Sequence, residues 1–181
     1  MLIWLQNMDW RILRRLHSAL QCGALDFLMP RITALGNGGA IWIIAAAAMI
    51  VSRRYRRYGI ALLGALAAGV LIGNVCLKHL IGRARPCWLE EVPLLIANPT
   101  DYSFPSGHTL SSVIGATVIA RANRKFAYAA IPLAACIAVS RLYLYVHFPS
   151  DVLAAAGIGI LIGIGSELVM RKIAAKFGKT R

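Results

Sequence analysis

The sequence predicts an all-α integral membrane protein, a helical bundle of about five to six helices with an N-terminal helix in the membrane interface. Three observations lead to this prediction. The 181 residues are 59% hydrophobic and only 15% charged, and their mean hydropathy is +0.66, which is unusual for a soluble domain. Several stretches approach the roughly 20 apolar residues that cross a bilayer. Short polar or basic segments separate them, so residues 1–181 are expected to form a single membrane domain.

Residues 1–22 have the pattern of an amphipathic helix. Apolar side chains recur at helical spacing, and polar side chains occupy the remaining positions. The apolar stripe consists of Leu5, Met8, Ile12, Leu16 and Leu20. A helix of this kind is expected in the membrane interface, with Trp4 and Trp10 at headgroup depth. The same pattern also fits a partner-binding helix or an ordinary packing element.

The region 25–170 is expected to form the transmembrane bundle. Its apolar stretches predict spans at 25–52, 58–81, 106–120, 126–146 and 150–170, and Gly36-Asn37-Gly38-Gly39 could break the first span. Because successive spans alternate in direction, the segments 82–105 and 141–150 fall on the same side of the membrane. We therefore expect these two segments to meet. Residues 171–181 remain as a basic tail.

The net charge of +13 comes from short clusters between the spans, not from one continuous polar face. This distribution favours membrane topology over a nucleic-acid partner. By the positive-inside rule, all clusters lie in the cytoplasm, and the segments 82–105 and 141–150 lie outside the inner (plasma) membrane. The clusters are Arg53, Arg54, Arg56 and Arg57; Arg121, Arg124 and Lys125; and Arg171, Lys172, Lys176, Lys179 and Arg181.

The four cysteines have no spacing typical of a metal site, so we assign them no metal. Cys22 and Cys87 could pair if both lie outside the membrane, and free thiols are the alternative. The sequence carries no signal for a particular oligomeric state.

Three short motifs place charge or histidine at the outer ends of predicted spans. Each alone has an ordinary explanation, such as a snorkelling lysine, a helix start, a span-terminal anchor or a packed histidine. Together they bring three cations and two histidines to one side of the membrane, where ionisable groups are costly. The motifs are Lys78 with Arg85-Pro86; Pro105-Ser106-Gly107-His108; and Ser140-Arg141 with His147 and Asp151. Cations that converge in this way indicate a binding site for an anion.

Lysine and arginine are the usual protein ligands of phosphate. Lys78, Arg85 and Arg141 are therefore candidate phosphate ligands. Ser106 and Gly107 begin a predicted helix, whose free N–H groups would donate to the same anion.

The remaining residues suggest nucleophilic catalysis. His147 and Asp151 are four residues apart at a helix start, so the carboxylate can reach one imidazole nitrogen and leave the other free to attack phosphorus. His108 is the candidate general acid. No cluster of carboxylates suitable for a metal accompanies these residues. We therefore expect chemistry without metal or cofactor, in which the cations stabilise charge.

The three motifs resemble the signature of the type 2 phosphatidic acid phosphatase superfamily, K-x6-R-P, P-S-G-H and S-R-x5-H-x3-D, at all eleven positions. The stretch from Leu25 to Trp42 is also similar to the first span of small bacterial members. The resemblance implies an all-helical fold with its site at the outer membrane surface. It further implies that His147 is the nucleophile, that Asp151 is its partner and that His108 is the acid. The remaining polar motif residues would then bind phosphate.

The resemblance leaves the lipid open. Undecaprenyl diphosphatases are common among small bacterial members, and the short loop 87–102 leaves little room for a bulky headgroup, so hydrolysis of undecaprenyl diphosphate to undecaprenyl phosphate is expected. Phosphatidylglycerophosphate, phosphatidate and lipid A phosphate are alternatives, as is phosphate transfer to another lipid. A non-catalytic protein that binds or transports lipid phosphates is an alternative of a different class. The intact set of His108, His147 and Asp151 argues against it, because anion binding needs no nucleophile.

Overall fold

The computed structural model describes residues 3–178, and within this range every regular element is helical. A 3₁₀ turn at Asn37–Gly39 joins α2 to α3, and a π-helical segment at Val70–Leu77 joins α4 to α5. The α-helices are α1 (Ile3–Leu20), α2 (Gly23–Leu35), α3 (Ala40–Val51), α4 (Arg56–Gly69), α5 (Lys78–Ile81), α6 (Pro86–Leu89), α7 (Gly107–Ala122), α8 (Arg124–Tyr143) and α9 (Pro149–Gly178). The predicted all-α class is thereby confirmed.

By length and composition, three helical stretches among the described residues can cross a membrane: Arg56–Leu89, Arg124–Tyr143 and Pro149–Ile173. The bent pair α2–α3 is a fourth if it counts as one span. Helix α7, expected as another span, has 16 residues. At 1.5 Å per residue it is about 24 Å long, shorter than the roughly 30 Å hydrocarbon core. It packs in the middle of the bundle against α4, α8 and α9, and the span expected at 106–120 stays a prediction.

The predicted break in the first span is present and lies beside the motif histidine of α7. Gly38 and Gly39 have φ values of 58° and 73°, which glycine adopts at little cost. Helices α2 and α3 differ in direction by 43° across this break. A β-carbon on Gly36 would lie 2.9 Å from an imidazole carbon of His108. The glycine-rich turn therefore allows the backbone to approach His108 closely.

Helix α1 packs on the bundle with a different face from the predicted stripe. Its buried residues are Asp9 and Leu13, whereas Ile12 from the stripe is 40% exposed. The Trp10 ring contacts the Phe148 ring edge-on at 4.9 Å between centroids. The stripe expected in the membrane interface is thus a different face from the one that packs on the bundle, which carries the paired carboxylate Asp9. Trp4 remains 66% exposed.

The basic clusters gather at one end of the bundle, opposite the motif residues. Tyr55, beside the first cluster, accepts a hydrogen bond from Asn123 at 2.9 Å, and Arg121 donates to Glu167 of α9 at 2.7 Å. The predicted tail starts as part of α9, which continues to Gly178; Lys179 and Arg181 lie outside the described residues. All four cysteines are free thiols, so Cys22 and Cys87 are not paired.

Candidate active site

The three motifs converge on one cavity. Lys78 begins α5, Arg85 precedes α6, His108 lies in the first turn of α7, and Arg141 lies in the last turn of α8. His147 lies in the buried connection between α8 and α9. These five side chains line a cavity of about 960 Å³. The segments 82–105 and 141–150 therefore meet at this cavity.

Arg85 is held by directed contacts around its guanidinium group. Its Nε donates to the Asp101 carbonyl at 2.6 Å, and Nη2 donates to the Asp101 carboxylate at 2.6 Å. Its Nη1 donates to the Val146 carbonyl at 2.7 Å and lies 3.1 Å from Nε2 of His147. Because a guanidinium group only donates, Nε2 of His147 must be the acceptor. Arg85 is thus fixed between the cavity and the histidine.

Asp101 is a residue of this site that the sequence analysis missed. Its carboxylate pairs with both Lys78 and Arg85. Burial opposes its ionisation, but the hydrogen bond from Lys78 and the charge of Arg85 outweigh that effect and lower the pKa of Asp101 to about 2. Asp101 lies close in sequence to the Pro105-Ser106-Gly107-His108 motif. That proximity was the only signal for it in the sequence.

His147 and Asp151 are connected through Ser103, a second missed residue. The carboxylate Oδ2 of Asp151 lies 3.8 Å from Nδ1 of His147, which is too long for a hydrogen bond. The Ser103 hydroxyl donates to this oxygen at 2.5 Å and lies 3.4 Å from His147 Nδ1. The Phe148 N–H also donates to Oδ2, at 2.9 Å. The sequence predicted a direct contact between Asp151 and the imidazole of His147. In the structure the Ser103 hydroxyl lies between them instead.

Burial lowers the pKa of His147 to about 3, although the negative charge of Asp151 acts in the opposite direction. The imidazole is consequently neutral near pH 7. With Nε2 accepting from Arg85, the proton resides on Nδ1, on the side of Ser103 and Asp151. The lone pair of His147 is then on Nε2, which is the nitrogen that faces the phosphate-ligand candidates.

His108 has its own partner in the glycine-rich break. Its Nε2 lies 2.9 Å from Oδ1 of Asn37, and both side chains line the cavity. An amide oxygen accepts, so this contact places a proton on Nε2. A neutral imidazole that gave up its single proton would become an anion, so His108 acts as a general acid only after it gains a second proton, which the negative charge of a bound phosphate favours.

The remaining predicted ligands differ in their surroundings. Arg141 donates from Nη1 to the Thr33 hydroxyl at 2.7 Å, and among the described residues its buried Nε has no partner. Gly107 lines the cavity, and a β-carbon there would lie 3.0 Å from Oδ1 of Asn74. Ser106 is buried, and its hydroxyl accepts from the backbone N–H of Thr109, so it caps α7; the Thr109 side chain donates to the same hydroxyl. As a phosphate ligand, Ser106 stays a prediction.

The cavity extends from these polar groups into the apolar part of the bundle. Its far wall consists of side chains from α3, α4 and the π-helical segment, namely Ile43, Leu63, Leu66, Ala67 and Val70. Val70 on this wall is 55% exposed. One continuous space therefore joins cationic groups to an apolar wall. Within residues 3–178, no group of three or more His, Cys, Asp or Glu side chains is arranged to hold a metal ion.

The cavity lies between membrane-spanning helices and combines cations, a neutral imidazole and an apolar wall. These features define a membrane protein with a site for phosphate groups on lipids. Residues 58–175 match the PAP2 superfamily. The chain belongs to this superfamily, and it is an integral membrane lipid phosphatase.

Relatives act on different lipid phosphates. The chain is 32% identical over 152 residues to an undecaprenyl-diphosphatase of Sulfolobus acidocaldarius, covering 82% of this chain and 73% of the relative. It is 33% identical over 131 residues to a decaprenylphosphoryl-5-phosphoribose phosphatase of Mycobacterium tuberculosis, covering 67% of each. The crystal structure of a PAP2-type phosphatidylglycerolphosphate phosphatase from Bacillus subtilis superposes with a TM-score of 0.78 at 25% identity, covering 95% of this chain and 89% of that one.

Proposed function

We propose that this phosphatase hydrolyses undecaprenyl diphosphate to undecaprenyl phosphate through a phosphohistidine intermediate on His147. The observation that carries the proposal is the continuous cavity of about 960 Å³, which joins the phosphate-ligand candidates to an apolar wall between membrane helices. A polyprenyl diphosphate has the matching shape, with a highly charged end and a single apolar chain.

In the first step, the terminal phosphate binds to Lys78, Arg85 and Arg141 and to the free N–H groups at the start of α7. Nε2 of His147 attacks phosphorus as the bond to the bridging oxygen breaks. His108, which gains a second proton as the phosphate anion binds, gives a proton to the departing oxygen and becomes neutral. The ring of His147 gains positive charge, which Asp151 stabilises through Ser103.

In the second step, water attacks the phosphohistidine. His108, now neutral, takes a proton from that water, and the P–N bond breaks. Inorganic phosphate leaves, and His147 regains its lone pair. The cations remain in contact with the transferring phosphate throughout, so they stabilise charge in both transition states.

The choice of a polyprenyl diphosphate rests on the loop that lines the cavity and on the relatives. Ala97, Asn98 and Thr100 of the short loop 87–102 line the cavity together with the phosphate-ligand candidates, which favours a compact phosphate headgroup. Two relatives carry polyprenyl substrates in their names. Phosphatidylglycerophosphate is the second candidate, because the superposed Bacillus subtilis structure is described as a phosphatase of that lipid.

Phosphate release from purified lipids in detergent tests this proposal. We expect the highest kcat/KM with undecaprenyl diphosphate, compared with phosphatidylglycerophosphate, phosphatidate and lipid A phosphate, and none with His147→Ala. A higher kcat/KM for phosphatidylglycerophosphate would transfer the assignment to that lipid. Adding a second lipid as acceptor distinguishes transfer from hydrolysis.

We further propose that the site faces the extracytoplasmic side of the inner membrane, because the basic clusters lie at the opposite end of the bundle. In a variant without native cysteines, Glu91→Cys and Arg57→Cys each place one thiol at an exposed position. An impermeant thiol reagent added to intact cells should label Glu91→Cys and should reach Arg57→Cys only after lysis. The opposite labelling pattern would reverse the orientation.

A further inference from the structure

A buried ionic network lies behind the nucleophile, on the side away from the cavity. Arg83 donates from Nη1 to the Asp151 carboxylate at 2.5 Å and from Nη2 to the Asp9 carboxylate at 2.7 Å. The three residues are 7%, 0% and 2% exposed, respectively. None of them lines the cavity. Arg83 thereby connects the N-terminal helix α1 to the carboxylate that serves His147.

The network fixes the Asp151 carboxylate from both sides. Arg83 contacts Oδ1, while Ser103 and Phe148 donate to Oδ2. Arg83 is itself fixed, because its Nη1 also donates to Ser150 and its Nη2 to Gln6. Its guanidinium carbon lies 4.1 Å above the centre of the Phe148 ring. Loss of Arg83 would leave two buried carboxylates without their shared cation, which is costly.

The charge balance of the network has a catalytic consequence. One guanidinium group is shared between two carboxylates, so Asp9, Arg83 and Asp151 carry one net negative charge. This surplus charge is available to His147 when its ring becomes positive during attack. If Asp9 were neutral, the charge of Arg83 would act on Asp151 alone, and less negative charge would remain for the ring.

From this geometry we propose that Arg83 and Asp9 are positioning residues of the phosphatase reaction, which orient Asp151 and set the charge that it presents to His147. The inference rests on the proposed phosphohistidine mechanism. Neither residue touches the cavity, so substrate binding does not depend on them directly. The N-terminal helix is therefore part of the catalytic apparatus through Asp9.

The conservative variant Asp9→Asn gives the sharpest test. The asparagine oxygen can still accept hydrogen bonds, while the charge is removed. We expect kcat with p-nitrophenyl phosphate to fall about tenfold with KM within twofold of the wild type, a loss within the range of coupled neighbouring residues. Arg83→Gln should lose about a hundredfold in kcat, and Arg83→Lys should recover part of it. The control is Arg121→Gln, which removes the partner of a buried carboxylate, Glu167, at the opposite end of the bundle.

A double-mutant cycle distinguishes positioning from a general structural role. If Asp9 acts through Asp151, then Asp9→Asn in an Asp151→Asn background should change kcat by less than twofold. An equal loss in both backgrounds, or a wild-type kcat in Asp9→Asn, would overturn the proposal. If Arg83→Gln does not fold, the Asp9→Asn cycle alone decides. Failure of the proposed function would appear differently, because His147→Ala would then retain the activity of the wild type.

Discussion

At the scale of single residues, the protonation state of His147, the proposed nucleophile, is set mainly by burial. Burial keeps its ring neutral, with a pKa of about 3, and Arg85 contacts Nε2 at 3.1 Å. A neutral ring can act as a nucleophile near pH 7 without first losing a proton. Protonation of His147 would reduce activity only near pH 3, far below the usual range for histidine.

The leaving group should separate the roles of the two histidines. A phosphate monoester of an alcohol expels a basic alkoxide, so it needs the proton of His108, whereas p-nitrophenyl phosphate expels a weak base. His108→Ala should therefore slow phosphatidate hydrolysis by about two to four decades and p-nitrophenolate release in the first turnover far less. Stopped-flow and steady-state assays with both substrates measure this. Equal losses in the first turnover would contradict an acid role, and His147→Ala should abolish both reactions.

Replacement of Arg85 by lysine should show that the shape of the guanidinium group matters as well as its charge. Lysine keeps the positive charge but cannot contact Asp101, Val146 and His147 at the same time. We expect kcat/KM to fall about 10²–10³-fold, as for loss of one preorganised donor. Arg57→Lys, at the opposite end of the bundle, is the matched control and should remain within twofold of the wild type. Activity of Arg85→Lys equal to this control would contradict the assignment.

At the scale of helices, close packing between α3 and α7 holds the centre of the bundle. A β-carbon on Gly115 would lie 2.4 Å from the Trp42 ring, and Trp42 donates from its indole N–H to Ser112 at 3.0 Å. The central helix α7, with His108 in its first turn, is therefore positioned by a glycine contact about two turns away from His108. This contact connects stability of the bundle to the geometry of the site.

Gly115→Ala should destabilise the protein for this reason. Overpacking costs about 1–3 kcal/mol, which should lower the Tm in detergent. Gly64→Ala is the matched control, because a β-carbon there meets no atom within 4 Å and alanine favours a helix by about 0.5–1 kcal/mol over glycine. Thermal unfolding of the two variants should give shifts of opposite sign. A Gly115→Ala protein as stable as the wild type would show that the α3–α7 contact adapts easily.

The sequence predicted where the helices lie better than it predicted which face of a helix is buried. The glycine-rich sequence located the break at Gly38 and Gly39, and runs of apolar residues located most helix boundaries, because composition and hydropathy are local properties. The inner face of α1 could not be predicted from periodicity, since it contains Asp9. Its cation, Arg83, is 74 residues away in the chain, and only the fold shows that the two pair.

Residues of the site divide in the same way. His108, His147 and Asp151 belong to motifs with fixed spacing, so the sequence identified them. Ser103 and Asp101 lie outside the motifs, and their contacts depend on how the segment 82–105 folds over the cavity. Local sequence therefore indicated the chemistry, while the groups that orient it required the structure.

At the scale of the whole molecule, charge stabilisation is assigned to side chains and backbone donors alone. We expect activity to survive chelation, because Lys78, Arg85 and Arg141 provide the positive charge that a metal ion provides in other phosphatases. Phosphate release should be unchanged after EDTA treatment and dialysis. A loss that magnesium restores would contradict this assignment, and a metal-dependent phosphatase assayed in parallel confirms that chelation was complete.

The proposed mechanism requires a covalent phosphate on His147, and trapping this phosphate is its most direct test. In His108→Ala the second step lacks its base. Phosphorylation of His147 by p-nitrophenyl [³²P]phosphate should therefore be faster than hydrolysis of the phosphohistidine by water. After quenching in alkali and proteolysis, we predict one labelled peptide, which contains His147 and loses its label in acid. The same experiment on His108→Ala/His147→Ala should give no label. Label on another residue, or label that persists without His147, would contradict the account.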